Sequence, residues 1–284
     1  MSDLVIHTRG KINLTLDIIN KRKDGYHNVS MVMQSIKLCD TLRIKLIDSD
    51  IKITCDNPNI PTGFENIIYK AAWELKTRYN VKLGVQIDLA KRIPFGAGLA
   101  GGSSNAAGTL MGLNELWNLD LRQEELLEIG SNIGADVPFC ILEGTALAEG
   151  IGNKLTKLKD MPLYYVVLIK PDIHIATPWA YSLINIEDIS LHPDNKGMIK
   201  AIDAGDCETI PEKLENVFEG FIFKEYPQLT MIKEELKNLG AQGQLMSGSG
   251  PTIYGLFSNK LKALKATEIL RERYNEVYLT ETFN

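Results

Sequence analysis

Twelve consecutive residues, Pro94-Phe95-Gly96-Ala97-Gly98-Leu99-Ala100-Gly101-Gly102-Ser103-Ser104-Asn105, have the make-up of a segment that closes around an anion. Four of the twelve are glycine, where average usage of roughly 7% would give about one. A loop without Cβ atoms can turn several N–H groups onto one phosphate. A helix beginning near Ser103 or Ser104 would add its unpaired amides and the positive end of its dipole. A plain turn between strand and helix needs one or two glycines and no Ser-Ser-Asn tail, so phosphate binding is the favoured reading. The P-loop pattern is excluded because Gly102 is followed by Ser103 with no lysine. The protein-kinase glycine loop needs H-R-D and D-F-G elsewhere, and neither tripeptide occurs. A dinucleotide site is harder to dismiss: Gly96, Gly98 and Gly101 satisfy G-x-G-x-x-G after a strand and before a helix. The acidic ribose partner should end a strand about twenty residues on, whereas Glu115 lies inside the predicted helix and Asp120 is the predicted cap of the next.

Other residues offer chemistry and also have ordinary explanations. Lys11 and Asn13 share the polar face of a predicted strand, where an amine and an amide can reach a hydroxyl or a phosphoryl group; taken alone, such a pair is more often a solvated face. Asp136, in Gly134-Ala135-Asp136-Val137-Pro138, is equally readable as a turn or capping aspartate. Ser247-Gly248-Ser249-Gly250-Pro251 is either a hairpin turn or a second backbone wall for the same phosphates. Tyr26 and His27 close a charged hairpin tip and can serve as plain surface or stack on and hydrogen-bond a heteroaromatic base.

The elements that would carry these residues follow from periodicity. Ile12, Leu14, Leu16 and Ile18 alternate with Lys11, Asn13, Thr15 and Asp17, the period of a half-buried strand. A turn over 20–25 leads to further strands at 29–38, 41–47 and 51–55, then a helix at 66–79 and a strand at 81–89. Ala106, Leu110, Leu113 and Trp117 recur at helical spacing behind the glycines. A helix from Leu121 to Ile133 would be capped by Asp120, with strands following at 137–142 and 145–148. The polar stretch 154–162 ends in proline and is read as a domain boundary, giving domains 1–157 and 158–284. The second half reads as a strand at 164–169, helices between Trp179 and Leu239, strands at 243–246 and 252–257, a helix at 260–274 and a last strand at 276–279. The fold class expected is α+β in two domains.

Composition narrows the function further. The 284-residue chain has 44% hydrophobic and 24% charged residues, as a self-folding globular protein does. A net charge of −5 and a pI near 5.5 argue against nucleic acid as partner. No stretch approaches a membrane span, and the N-terminus has neither signal-peptide nor transit-peptide character. Cys39, Cys55, Cys140 and Cys207 lack C-x-x-C spacing and read as reduced thiols, so the expected location is the cytoplasm.

Lys11-Ile12-Asn13-Leu14, Pro94 to Ala107, Gly134 to Pro138 and Ser247 to Pro251 occur in the order and spacing of the GHMP kinases, whose loop resembles P-x-G-x-G-L-x-x-S-S. The resemblance runs over nearly the whole chain. Within that family, Gly25-Tyr26-His27 with Gly134 to Pro138 most resembles the members acting on a cytidyl diphosphate sugar alcohol in non-mevalonate isoprenoid synthesis. Gly10 stands where the family usually has alanine, and Ala100 where it often has a further glycine.

The resemblance implies a ribosomal protein S5 domain 2-like N-terminal domain, a ferredoxin-like C-terminal domain, and ATP with Mg²⁺. It implies that Asp136 takes the proton of a substrate 2-hydroxyl while Lys11 steadies that aspartate and the charge on the γ-phosphoryl group. Pro94, Gly96, Ala97, Gly98, Leu99, Ala100, Gly101, Gly102, Ser103 and Ser104 would hold the ATP phosphates, with Asn66 and Lys91 near adenosine. Asn13, Tyr26, His27, Thr177 and Tyr181 would hold the small-molecule substrate, Tyr181 stacking on the second face of the base. No acidic metal ligand is identifiable by motif, and oligomeric state is left open. Competing readings are another GHMP kinase acting on homoserine, mevalonate or a sugar, a silent nucleotide- or RNA-binding module, and a dinucleotide-dependent oxidoreductase.

Overall fold

The computed structural model describes residues 3–284. In chain order the elements are β1 (Leu4–Asn13), β2 (Thr15–Lys21), β3 (His27–Ile47), β4 (Ile51–Cys55), α1 (Ile67–Arg78), β5 (Gly84–Ala90), α2 (Gly101–Leu116), α3 (Gln123–Ile133), α4 (Val137–Leu142), β6 (Thr145–Gly150) and β7 (Lys154–Lys157). They continue with β8 (Tyr165–Ile169), α5 (Thr177–Ser182), a 3-10 turn at Ile186–Asp188, α6 (Asn195–Ala204), α7 (Thr209–Glu212), β9 (Glu215–Asn216), α8 (Glu219–Glu225), α9 (Gln228–Asn238), β10 (Gly243–Met246), β11 (Ile253–Phe257), α10 (Lys260–Arg271) and β12 (Val277–Glu281). Helices and strands mix throughout, as an α+β fold requires. No helix among the described residues is long and apolar enough to cross a membrane.

The elements group into two compact units, each assembled from separated stretches of chain. The first takes the N-terminal segment up to Gly10 with Leu38–Phe95 and Ala100–Leu142. In it β5 pairs antiparallel with the second half of β3, from Thr41↔Ala90 to Ile47↔Gly84, and parallel with β4. Helix α2 lies directly on these strands because Gly108 and Gly112 leave room for them: a Cβ at Gly112 would stand 2.6 Å from Ile6 Cδ1 and 2.7 Å from Ile44 Cδ1. Helices α1, α3 and α4 pack around α2.

The second unit takes Lys11–Lys37, Gly96–Leu99 and Glu143–Asn284, so residue 157 lies inside it. Here β2 pairs antiparallel with β3 and parallel with β9, and β6 joins β3 to β7. A separate antiparallel sheet runs β10-β11-β8-β12. Helices α9 and α10 pack on it, over a core that includes Tyr164, Tyr254 and Phe257.

Several elements differ from the sequence reading. The alternating stretch 12–18 is broken at Leu14 between β1 and β2, and its polar positions are as buried as its apolar ones. Strands expected at 29–38 and 41–47 are one strand, because Asp40, which reads as a break, is fully buried and hydrogen-bonded. Residues 137–142 form a helix rather than a strand: packing against α2 and α3 overrides the β-branched and aromatic composition, and Pro138 falls in the first turn, where no N–H is needed. Asp120 is not a cap but a left-handed residue at φ +54°. Helix α3 begins after Arg122, whose N–H donates to the Glu125 carboxylate (3.2 Å).

Candidate active site

Lys11 and Asn13 point to one side of β1, as residues two apart in a strand must. The solvated-face reading fails, for Lys11 is 4% exposed and Asn13 0%. Lys11 Nζ donates to Asn13 Oδ1 (2.7 Å) and Asn13 Nδ2 to Met31 Sδ (3.2 Å). The Asn13 carbonyl accepts from the Tyr254 hydroxyl (2.8 Å). A buried ammonium needs such partners.

The glycine segment is anchored to the same place. The Lys11 N–H donates to the Leu99 carbonyl (3.1 Å), and Ser247 Oγ donates to the Gly98 carbonyl (2.9 Å). Gly96, Gly98 and Ala100 hold φ of +63°, +75° and +55°, so the segment makes repeated left-handed turns before α2 starts. For Ala100 that conformation costs about 1–2 kcal/mol. Helix α2 begins at Gly101, ahead of the predicted Ser103 or Ser104. Its opening amides therefore come from Gly101, Gly102 and Ser103, and the first N–H groups of a helix lack intrahelical partners.

The turn Ser247–Pro251 joins β10 to β11 and is buried throughout. Gly248 and Gly250 have φ of +60° and +86°. A Cβ on Gly248 would stand 3.2 Å from the Gly98 carbonyl and 3.5 Å from Lys11 Nζ. Asn216 Nδ2 donates to the Met246 and Gly248 carbonyls (both 2.8 Å), and its Oδ1 accepts from the Phe218 N–H (3.0 Å). Glu219 Oε1 accepts from the Met246 N–H (2.7 Å), and its other oxygen pairs with Lys233 Nζ (2.5 Å). Burial pushes the Glu219 carboxyl above its usual range, with Lys233 opposing the shift. Thr177 Oγ1 meets Ser249 Oγ at 3.1 Å.

At the tip between β2 and β3, Tyr26 is 64% exposed. His27 stacks on Tyr181 of α5 (5.2 Å between centroids, 23° between planes), and Tyr181 meets Phe218 edge-on (5.0 Å, 89°). His27 thus covers one face of the Tyr181 ring. Burial first, and Lys21 second, hold the His27 imidazole below its ordinary pKa.

In the first unit, Asp136 precedes α4, where its carbonyl accepts the Cys140 N–H (3.1 Å). Ser103 is half-buried, its Oγ 3.9 Å from where a Cβ on Gly134 would stand. Ser104 Oγ donates back to the Gly101 carbonyl (2.9 Å).

A buried lysine and amide against a glycine turn can receive a phosphoryl group. Comparison with known proteins agrees. The model of the GHMP kinases N terminal domain matches residues 66–144, and that of the GHMP kinases C terminal domain matches 198–276. The chain is 45% identical over 282 residues to the 4-diphosphocytidyl-2-C-methyl-D-erythritol kinase of Acetivibrio thermocellus, covering 99% of this chain and 100% of that one. The chain belongs to the GHMP kinases. The Clostridioides difficile relative of the same name is 44% identical, with 99% and 96% covered. A crystal structure of 4-(cytidine 5'-diphospho)-2C-methyl-D-erythritol kinase superposes with a TM-score of 0.86 at 31% identity, over 99% of this chain and 100% of that one. Homoserine kinase from Cytophaga hutchinsonii shares the fold, with a TM-score of 0.79 at 17% identity over 100% and 95% of the two chains.

In this kinase two residues that the resemblance sets near adenosine are held by the protein itself. Asn66 caps α1, its Oδ1 accepting from the Ile68 N–H (2.8 Å). Lys91 Nζ pairs with Asp40 Oδ2 (2.5 Å), both side chains being buried. Asp40, Asn216, Glu219 and Lys233 escaped the sequence reading. None of them stands in a recognisable motif, so no local signal marks them.

Proposed function

We propose that this kinase transfers the γ-phosphoryl group of ATP to the 2-hydroxyl of 4-diphosphocytidyl-2-C-methyl-D-erythritol, a step of non-mevalonate isoprenoid precursor synthesis in the cytoplasm. The observation that carries the phosphoryl-transfer reading is Lys11, a buried ammonium fastened to Asn13 and adjoining both Gly98–Leu99 and Gly248. The choice of acceptor is supported by relatives of that name at 44–45% identity over nearly the whole chain. The family matches at 66–144 and 198–276 support a division into domains near residue 157.

In this reading Asp136 accepts the proton of the attacking hydroxyl, Lys11 offsets charge gathering on the transferred group, and Asn13 orients the acceptor. The amides from Gly96 to Ser103 bind the triphosphate. Tyr26 offers an open ring face to the cytosine, beside a wall made by His27 and Tyr181, with Thr177 nearby. An imidazole held below its ordinary pKa is neutral at physiological pH and presents one donor and one acceptor to the base. Mg²⁺ would be held mainly by water and substrate phosphate, with the half-buried Ser103 hydroxyl at the start of α2 as the protein oxygen that would face it. Bound with ATP, the ion would neutralise β- and γ-phosphate charge.

Replacing Asp136 by Asn and following ADP release should lower turnover by about 10²- to 10⁴-fold. Unchanged turnover rejects the assigned base. Phosphorylation of homoserine or mevalonate, with none of the cytidyl substrate, rejects the assigned acceptor.

A further inference from the structure

Asp40 lies in the middle of β3 with no exposed surface. Its carboxylate accepts four hydrogen bonds: from the Arg92 and Ile93 backbone N–H groups at Oδ1 (2.6 and 2.8 Å), and from Lys91 Nζ and Asn105 Nδ2 at Oδ2 (2.5 and 2.9 Å). An ionised carboxylate has about four acceptor sites, so this one is saturated. Arg92 and Ile93 lead directly into Pro94, and Asn105 closes the glycine segment on α2. One side chain thus grips the chain on both sides of that segment. Asn105 Nδ2 is steadied further by Thr8 Oγ1 (2.8 Å). The Lys91 ammonium packs against the first residue of α2, 2.8 Å from where a Cβ on Gly101 would stand.

Packing alone does not call for this arrangement. A cation at a helix N-terminus opposes the dipole, and an apolar pair of equal volume would fill the space without the desolvation penalty of two ions. What an apolar pair would not do is fix the direction of two backbone amides and one side-chain amide at once. We propose that Asp40 is a positioning residue for the nucleotide loop: it sets both ends of the Pro94–Asn105 segment so that the intervening amides are pre-arranged for the triphosphate. The proposal rests on reading that segment as the ATP loop. It gives Lys91 the task of balancing Asp40 instead of contacting nucleotide.

The test uses two variants of the full chain. Asp40→Asn keeps the volume but removes the counter-charge of Lys91. Asn105→Ala removes one of the four donors and leaves the Asp40–Lys91 pair in place, so it decides the matter if Asp40→Asn does not fold. KM for ATP, KM for the acceptor, kcat and amide hydrogen exchange over residues 91–105 are measured on each. For Asn105→Ala the KM for ATP should rise about tenfold, and further for Asp40→Asn, since misplacing a binding group by about 1 Å can cost 10²-fold. The acceptor KM should change less than about twofold, and the loop amides of the free protein should exchange faster. Lowered thermal stability in both folded variants with both KM values and loop exchange unchanged overturns the proposal. If wild-type protein does not turn over ATP but loop exchange responds as described, the functional reading falls while the positioning role of Asp40 stands.

Discussion

Pro94–Asn105 reaches solvent, with Phe95 61% exposed, whereas Ser247–Pro251 is buried from end to end. Their supports differ accordingly. The first segment is gripped at its ends by a carboxylate that also carries an ion pair, and its middle is tied through the Gly98 and Leu99 carbonyls. The buried turn is gripped by the neutral Asn216 amide, which supplies donors to the Gly248 carbonyl within it and the Met246 carbonyl just before it. The contrast follows from what each backbone lacks. A loop that must leave its amides open for a ligand can be held from its flanks and through its carbonyls. A buried turn must have its own polar groups satisfied in place, because each orphaned one costs about 1–3 kcal/mol.

The two segments touch at Gly98, and there the comparison breaks most easily. A Cβ on Gly98 would fall inside the van der Waals shell of the Ser247 carbonyl and 3.1 Å from that of Gly250, and the residue holds φ +75°. Backbone cannot swing aside as a side chain can, so Gly98→Ala should cost at least about 100-fold in turnover together with a clear drop in melting temperature. Turnover within a factor of two of wild type would show that the close approach of the two turns is dispensable. Asn216 gives the next largest effect. Asn216→Asp keeps the shape and the acceptor for the Phe218 N–H but sets a carboxylate against two carbonyls. It should destabilise by about 2–4 kcal/mol in denaturant titrations, and more than Asn216→Ala does. An Asp variant milder than the Ala variant would mean that the Phe218 bond, not the grip on the turn, is what Asn216 supplies.

How much of this can be read from sequence depends on whether the signal is local. Gly96 to Ser104 and the Ser247–Pro251 turn are visible because their chemistry sits in short runs of unusual composition, whereas Lys11 and Asn13 stand out only through the resemblance of Lys11–Leu14 to the GHMP kinases. The start of α2 is displaced in the reading because Gly101 and Gly102 look like loop. Gly101 is a glycine in the helix because Lys91 and Ile93 press against it too closely for a side chain, whereas Gly102 has only ordinary contact. Residues 137–142 mislead for the converse reason: Val, Phe and Ile favour strands in isolation, and tertiary packing on α2 and α3 decides otherwise. Asp40 and Asn216 are illegible for want of any local mark. Their partners lie 51–65 and 30–32 residues away at Lys91 to Asn105 and Met246 to Gly248, and a single Asp or Asn does not announce a fourfold acceptor or a double donor.

Gly96 supplies the smallest effect and the cleanest control. Its φ of +63° resembles that of Gly98, yet a Cβ there would meet nothing nearer than the His174 ring at 3.7 Å. Gly96→Ala therefore isolates the conformational cost of a left-handed alanine, about 1–2 kcal/mol, from the collision that accompanies it at Gly98. The free protein should melt a few degrees lower and otherwise behave as wild type. Melting repeated with saturating ATP separates two sources of any further loss, because a ligand stabilises in proportion to the logarithm of its concentration over Kd. If phosphate oxygens lie against the Gly96 backbone, the variant should gain less stability from ATP than wild type gains. An equal gain would put the phosphates farther along the segment, over Gly98 to Gly102, and would make the flank beside Phe95 a hinge instead of a contact.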